Sequence, residues 1–234
     1  MVGSQGVEVL TASAGGPQVS QMLNQMATGI QTQATASGQK LTVKVTDVVP
    51  AGGASAAANL IMIPAPIAGI TGSIVGFLIV KKPGRRIATL LAAAITVGLA
   101  GSAILGPWFG VLDGNYWLQA LTLATGALAI GSFITGLPSI VGRGGLAIGA
   151  LLIMLFGNPW GGFLAPTEFL AKPWGTIGTY LPNYNVLNLL KSVSFFPDAA
   201  TGRFWLVLAI WIVAGLAMLW IGSALHRRKH PEIA

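Results

Sequence analysis

Apolar and polar positions in this chain fall into long blocks. Five uncharged apolar runs occupy Asn59–Val80, Ile87–Leu112, Tyr116–Leu137, Gly144–Leu164 and Phe204–Leu225, and none contains Asp, Glu, Lys, Arg or His. A bilayer core about 30 Å thick takes roughly 20 apolar residues as helix, so the pattern predicts five transmembrane helices. The fourth run is the short one: Asn158-Pro159 follows Gly157, and a full crossing needs the count to continue through Trp160 to Leu164. Soluble domains carry about 25% charged residues. This chain carries 8%, which excludes a buried-helix reading of the runs.

Residues 1–50 have another composition, rich in Gln, Ser, Thr, Gly and Ala. Val7–Leu10 and Leu41–Val49 read as strands, the second by its apolar alternation. Between them Val19, Met22, Leu23, Met26 and Ile30 recur at helical spacing after Pro17. A β-α-β fragment of this size buries too little apolar surface to stand as an independent domain. Ala51–Ala58 is a small, flexible linker. The fold expected is therefore an all-α membrane protein. Residues 59–225 form its five-helix bundle, residues 1–50 a small extracytoplasmic α/β fragment, and residues 226–234 a tail.

Charge sets the orientation. Lys81, Lys82, Arg85 and Arg86 lie between runs one and two, Arg143 between three and four, and Arg227, Arg228 and Lys229 after run five. The positive-inside rule places these in the cytoplasm and the N-terminal fragment outside the membrane. The formal charge of +7 thus reads as topology; no basic patch interleaved with aromatics marks a nucleic-acid partner. Met1–Gln5 lacks the basic and apolar regions of a signal peptide. The simpler expectation is that an upstream transmembrane helix and the first part of an external domain belong to the whole protein.

Candidate chemistry is sparse. There are no cysteines, which excludes disulfides and thiolate sites. The histidines, His226 and His230, lie in the tail beside basic residues, and no ionisable group at membrane depth offers a proton relay. Gly38-Gln39-Lys40-Leu41 does not match a phosphate-binding loop. No catalytic, cofactor or metal residues are expected, so the chain does not read as an enzyme, and any transport must be powered by another polypeptide. Small residues at four-residue spacing (Gly72 and Gly76; Ala94, Gly98, Ser102 and Gly106; Gly145 and Gly149) suit close helix packing inside the bundle, with a homodimer face as the alternative.

Residues 165–203, between the fourth and fifth runs, are too apolar for a solvated loop and too broken by Pro166, Pro173 and Pro182 to span. Short outer helices, interfacial or re-entrant, are expected, anchored by Trp160, Trp174, Tyr180 and Tyr184. Glu168 and Lys172 stand four apart, could pair on one helical turn, and are the only charged candidates for a substrate path there.

The order Gly161-Gly162-Phe163-Leu164-Ala165-Pro166, Leu170-Ala171-Lys172-Pro173-Trp174, Ile177-Gly178, Leu181-Pro182 and Leu189-Leu190-Lys191-Ser192-Val193 before a last span resembles the outer helices of type-2 ABC exporter permeases. Val43–Pro50 resembles the strand that ends the external domain of their phage-infection-protein (YhgE/Pip-like) branch in Gram-positive bacteria. The resemblance covers most of residues 7–230. It implies helices two to six of a six-helix permease that exports an amphipathic or cell-envelope substrate with a separate ATPase. The chain departs from the family at Lys81–Arg86, a tight turn without the coupling helix that engages the ATPase. A non-transporting surface or scaffold protein, phage-receptor-like or secretion-accessory, is the other reading.

Overall fold

The computed structural model describes residues 6–13, 16–38, 41–50, 80, 83–142, 144–162 and 166–229. The linker and the first apolar run, Val80 excepted, lie outside the described residues.

The N-terminal unit is a β-α-β fragment, as the alternation predicts. Strands β1 (Gly6–Thr11) and β2 (Thr42–Asp47) pair in parallel, Val7 opposite Val43 and Val9 opposite Val45, joined by α1 (Pro17–Ala36). Ser20 and Ala27 of α1 are buried, whereas Met22, Met26 and Ile30, one turn apart on an adjoining stripe, are exposed, as are Val7, Leu10, Val45 and Val48. Parallel strands are normally covered on both faces. This pair is covered on one, so the unit leaves much of its apolar surface in the open.

The remainder is helical: α2 (Pro83–Ala103) with a π-helical continuation Ile104–Trp108, α3 (Tyr116–Val141), α4 (Gly144–Leu152), which continues through a π-helical turn Ile153–Gly157 to Asn158–Trp160, then α5 (Trp174–Gly178), α6 (Pro182–Phe195) and α7 (Gly202–Lys229). Among the described residues, three helices are long and apolar enough to cross a membrane: Gly84–Trp108, Tyr116–Val141 and Gly202–Leu225. Gly144–Trp160 is a shorter apolar helix, about 25 Å at 1.5 Å per residue.

Helix α3 is the centre of the bundle. Within its most apolar stretch 67% is buried, against 22% for α2 and for α7. It begins at Asn115, whose side chain accepts hydrogen bonds from the Trp117 and Leu118 amides at 2.9 and 3.2 Å, and stops at Gly142, which has φ 92°. An asparagine oxygen satisfies donors that a helix start leaves open, and a positive φ suits glycine.

Glycines set how the helices meet. A Cβ on Gly98 of α2 would strike the Ala120 carbonyl and lie 2.8 Å from the Ala124 methyl; one on Gly145 of α4 would lie 2.7 Å from the Pro138 Cα; one on Gly222 of α7 would strike Ser139. The small-residue stripe Ala94, Gly98, Ser102 and Gly106 is buried, and Gly98 and Gly106 approach α3. Gly145 and Gly149 also face α3; Gly72 and Gly76 lie outside the described residues.

These contacts also fix direction. Leu208, Gly215 and Gly222 of α7 meet Ala129, Ser132 and Ser139 in rising order, so α7 runs parallel to α3. Gly98 and Gly106 of α2 meet Ala124 and Gln119, and Gly145 and Gly149 of α4 meet Pro138 and Ile134, so both run antiparallel. The starts of α2 and α4 and the ends of α3 and α7 therefore share one end of the bundle. Arg85 and Arg86 lie there, and Arg143 and Arg227–Lys229 adjoin it in the sequence. Asp113, the α3 start and Gly202 mark the other, neutral end. One expectation is corrected: Arg85 and Arg86 belong to the first turn of α2, because Pro83, with its preset φ and no N–H to lose, starts the helix inside the expected turn.

Candidate functional site

The segment between α4 and α7 folds onto the neutral end as short helices, each begun by one of the three prolines. Pro166 precedes the single turn Thr167–Phe169, Pro173 precedes α5, and Pro182 is the first residue of α6. Proline favours a helix start for the same reason that it stops a crossing.

Helix α6 is seated among the long helices. Val186 packs on Gly126 in the middle of α3, Leu189 clusters with Ala129 and Leu208, and Leu190 with Leu105, Leu112 and Leu123. Its last turn brings the Val193 and Ser194 carbonyls against Gly114. It thus climbs from mid-bundle to the neutral end.

Where α6 begins, α4 loses its regular ladder. The π-helical turn at Ile153–Gly157 leads into Asn158-Pro159, and Asn183 fills the step. Asn183 is 0% exposed; its Nδ2 donates to Asn158 Oδ1 at 2.9 Å, its amide lies on the bare Cα of Gly157, and its Cβ lies on that of Gly161. A Cβ on Gly157 would stand 2.8 Å from Asn183 Nδ2. Asn185, also 0% exposed, donates from Nδ2 to the Thr179 and Leu181 carbonyls at 3.0 and 2.7 Å. The Oδ1 atoms of both asparagines, with the hydroxyls of Ser102 and Ser194, are buried and find no hydrogen-bond partner. Each such group costs about 1–3 kcal/mol.

An aromatic cap closes the segment. Phe156 and Trp160 are 4.6 Å apart and Trp160 and Trp174 stack at 4.5 Å; Gly178 approaches the Trp160 carbonyl too closely for any side chain. Trp211 Nε1 donates to the Tyr180 carbonyl at 2.8 Å, and Arg203 donates to Thr179 Oγ1 at 3.0 Å while its guanidinium lies 5.3 Å from the Tyr180 ring centre. The cap is therefore tied to both α4 and α7. Lys191, on the same helix as the asparagines, is half-buried.

Glu168 and Lys172 are both exposed on this cap and do not pair. The turn carrying Glu168 ends at Phe169, the chain is extended at Leu170, and Lys172 precedes Pro173. Proline disfavours the helical conformation in the residue before it, so four-residue spacing does not put these two on one face. Among the described residues the ion pair is Lys44–Glu8, at 3.9 Å across the two strands. The sequence marks Asn158 only as the break in the fourth run and does not single out Asn183 or Asn185; nearness to Pro159 and Pro182, which break the apolar pattern, is the available signal. No group of His, Asp or Glu among the described residues could hold a metal ion. No protein-family model, no curated protein and no solved structure matches this chain.

Proposed function

We propose that the chain is a five-span permease-like subunit of a bacterial plasma membrane. Its N-terminal unit lies outside and its basic end in the cytoplasm. Working with an ATPase on a separate polypeptide, it exports an amphipathic or cell-envelope substrate, as the resemblance to type-2 exporter permeases implies. The observation that carries the reading is α6, which lies in the neutral half of the bundle, buries Asn185 and sets buried Asn183 beside the broken end of α4. Irregular backbone at that depth persists where protein or a polar path covers it. Glu168 and Lys172, exposed on the cap, are the charged groups a substrate would meet first. The alternating helix directions and the basic residues at one end support the orientation.

The second reading, a non-transporting surface or scaffold protein, is favoured by one specific feature. Helix α2 starts at Pro83, directly after Lys81-Lys82, which leaves no separate helix to engage an ATPase. Affinity purification of the tagged chain from its native membrane separates the two. Stoichiometric recovery of an ATPase with a phosphate-binding loop is expected for export; its repeated absence assigns the scaffold role. Orientation is tested by Ser13→Cys and Ser223→Cys with an impermeant thiol reagent on intact cells. Labelling at residue 13 alone is expected, and labelling at residue 223 alone reverses the topology.

A further inference from the structure

The two faces of the β1–β2 ladder differ. Glu8 stands opposite Lys44 on one face, and the valine pairs Val7–Val43 and Val9–Val45 occupy the other. On the valine face Val9 and Val43 are half-buried and Thr11 is buried, so this is the face that α1 covers. Helix α1 has no charged residue along its 20 positions. At about 3.6 residues per turn its surface divides into three strips. Ser20, Ala27 and Ala34 are buried, and Asn24, Thr28 and Gln31 form an exposed polar strip. The third strip is apolar: Met22, Met26 and Ile30 are each about half exposed, and Gln33 continues the same line.

Connectivity decides what lies beside the apolar strip. Eight residues, 51–58, separate the unit from Asn59, where the first uncharged apolar run begins. Even fully extended they reach only about 30 Å. That is about the length of α1 itself at 1.5 Å per residue. With that run in a bilayer, α1 stays within its own length of the lipid surface. Because α1 bears no charge, it can settle into the interface without stripping water from an ion. A second copy of the chain fits less well. A stable protein contact buries about 800 Å² on each partner, and three half-exposed side chains fall far short of that. A tethered helix needs no such area, because its tether keeps it at high effective concentration.

We propose that α1 is an interfacial helix that rests on the bilayer. Met22, Met26 and Ile30 enter the boundary between headgroups and acyl chains, and Asn24, Thr28 and Gln31 stay in water. The contact is apolar, so it takes zwitterionic lipid and does not depend on salt. The proposal rests on the first apolar run crossing the membrane and not on the transport reading.

The test uses the full chain in phosphatidylcholine nanodiscs, one copy to a disc. The chain has no cysteine, so a nitroxide can be placed singly at Gln33→Cys, on the apolar strip, or at Asn24→Cys, on the polar one. Power saturation with oxygen and with a water-soluble nickel chelate then reads lipid against water at each position. A severalfold higher oxygen-to-nickel ratio at residue 33 than at residue 24 is expected, unchanged in molar salt. The combined variant Met22→Gln, Met26→Gln and Ile30→Gln should bring the two ratios together. Should that variant lose the helix, Met26→Gln alone, at an exposed position, should lower the ratio at residue 33. Equal ratios in wild type, or a difference that survives these substitutions, overturns the proposal. So does a difference abolished by salt, which assigns the contact to charge, or one seen only in discs holding two copies, which assigns the strip to a second chain. A chain that failed to enter the discs would overturn the membrane reading as well, whereas equal ratios overturn this proposal alone.

Discussion

Helices α1 and α3 are each flanked by partners that could cover an apolar face, and they use glycine in opposite ways. In α3 and the helices around it, glycine is the contact: Gly98, Gly136, Gly145, Gly215 and Gly222 let one backbone rest on another. In α1, Gly29 faces open space, and Met22, Met26 and Ile30 stand exposed beside it. The difference follows from the solvent each region was read as facing. In lipid, apolar side chains gain nothing by leaving the surroundings, so close backbone approach and dispersion must hold helices together. In water a two-stranded sheet with one helix is limited by how little apolar surface it can bury.

The comparison breaks most clearly at the α3–α7 crossing. A Cβ on Gly215 would collide with the Ser132 backbone and lie 2.6 Å from the Phe133 nitrogen, and none of those atoms can rotate away. Gly215→Ala is therefore expected to cost about 3 kcal/mol, at the upper end of ordinary overpacking. Gly84→Ala, in α2 with nothing within 4 Å, should instead be neutral or slightly favourable. Reversible unfolding of the purified chain in mixed detergent micelles measures both. Equal losses at the two positions would remove the glycine-contact account of the bundle.

A smaller effect is expected where α4 and α6 meet. Asn158→Ala removes the acceptor of Asn183 Nδ2 and leaves a fully buried carboxamide with neither end paired. The expected cost is about 1–3 kcal/mol. Asn158→Asp keeps an acceptor and should recover part of it at neutral pH. Equal loss in both variants, or loss in neither, in the same unfolding measurement contradicts the hydrogen-bond account.

Much of this was legible in the sequence, and the misses have physical causes. Uncharged runs gave the long helices because length and charge suffice for that inference. The three prolines gave the outer helix starts because proline acts on its own backbone. The stripe Ala94–Gly106 gave a packed face because small residues at that spacing have few other uses in lipid. The asparagines were missed because Asn183 and Asn185 sit in a Pro-rich, partly polar stretch that reads as surface; the approach of Gly157 and Gly161 covers Asn183, and Asn185 turns onto the Thr179 and Leu181 carbonyls. The pairing of Glu168 with Lys172 failed because spacing was read without the proline that follows Lys172.

In the N-terminal unit the comparison predicts a gain. Gly29→Ala puts the best helix former in an exposed interior position of α1 where no atom stands within 4 Å. The expected stabilisation is about 0.5–1 kcal/mol, read as slower amide exchange across α1 in lipid nanodiscs. Unchanged or faster exchange would mean that α1 is limited by its exposed stripe rather than by backbone entropy.

The smallest effect is electrostatic and lies where β2 ends. Ser13 donates its hydroxyl to Asp47 Oδ2 and its amide to Oδ1 at 3.1 Å, tying the turn after β1 to the last residue of β2. That hydroxyl is the first cause holding the Asp47 carboxyl below its ordinary value; the Ser13 and Val49 amides add to it, and burial opposes it. A carboxylate with a depressed folded pKa contributes stability that is fully present above its unfolded pKa, near 3.9, and is lost as pH falls through the folded value. The group is almost wholly solvent-accessible, so the contribution is small and screened by salt. Carbon-13 titration of the Asp47 carboxyl should give a midpoint below that of an unfolded aspartate, and Ser13→Ala should move it upward. The melting of β1–β2 contacts, followed by exchange of the Val48 amide that donates to the Thr11 carbonyl at 2.8 Å, should begin in the same acidic range in wild type and at higher pH in the variant. A midpoint unchanged by the Ser13 substitution would leave the β1–β2 pairing to its backbone ladder and the Lys44–Glu8 contact alone.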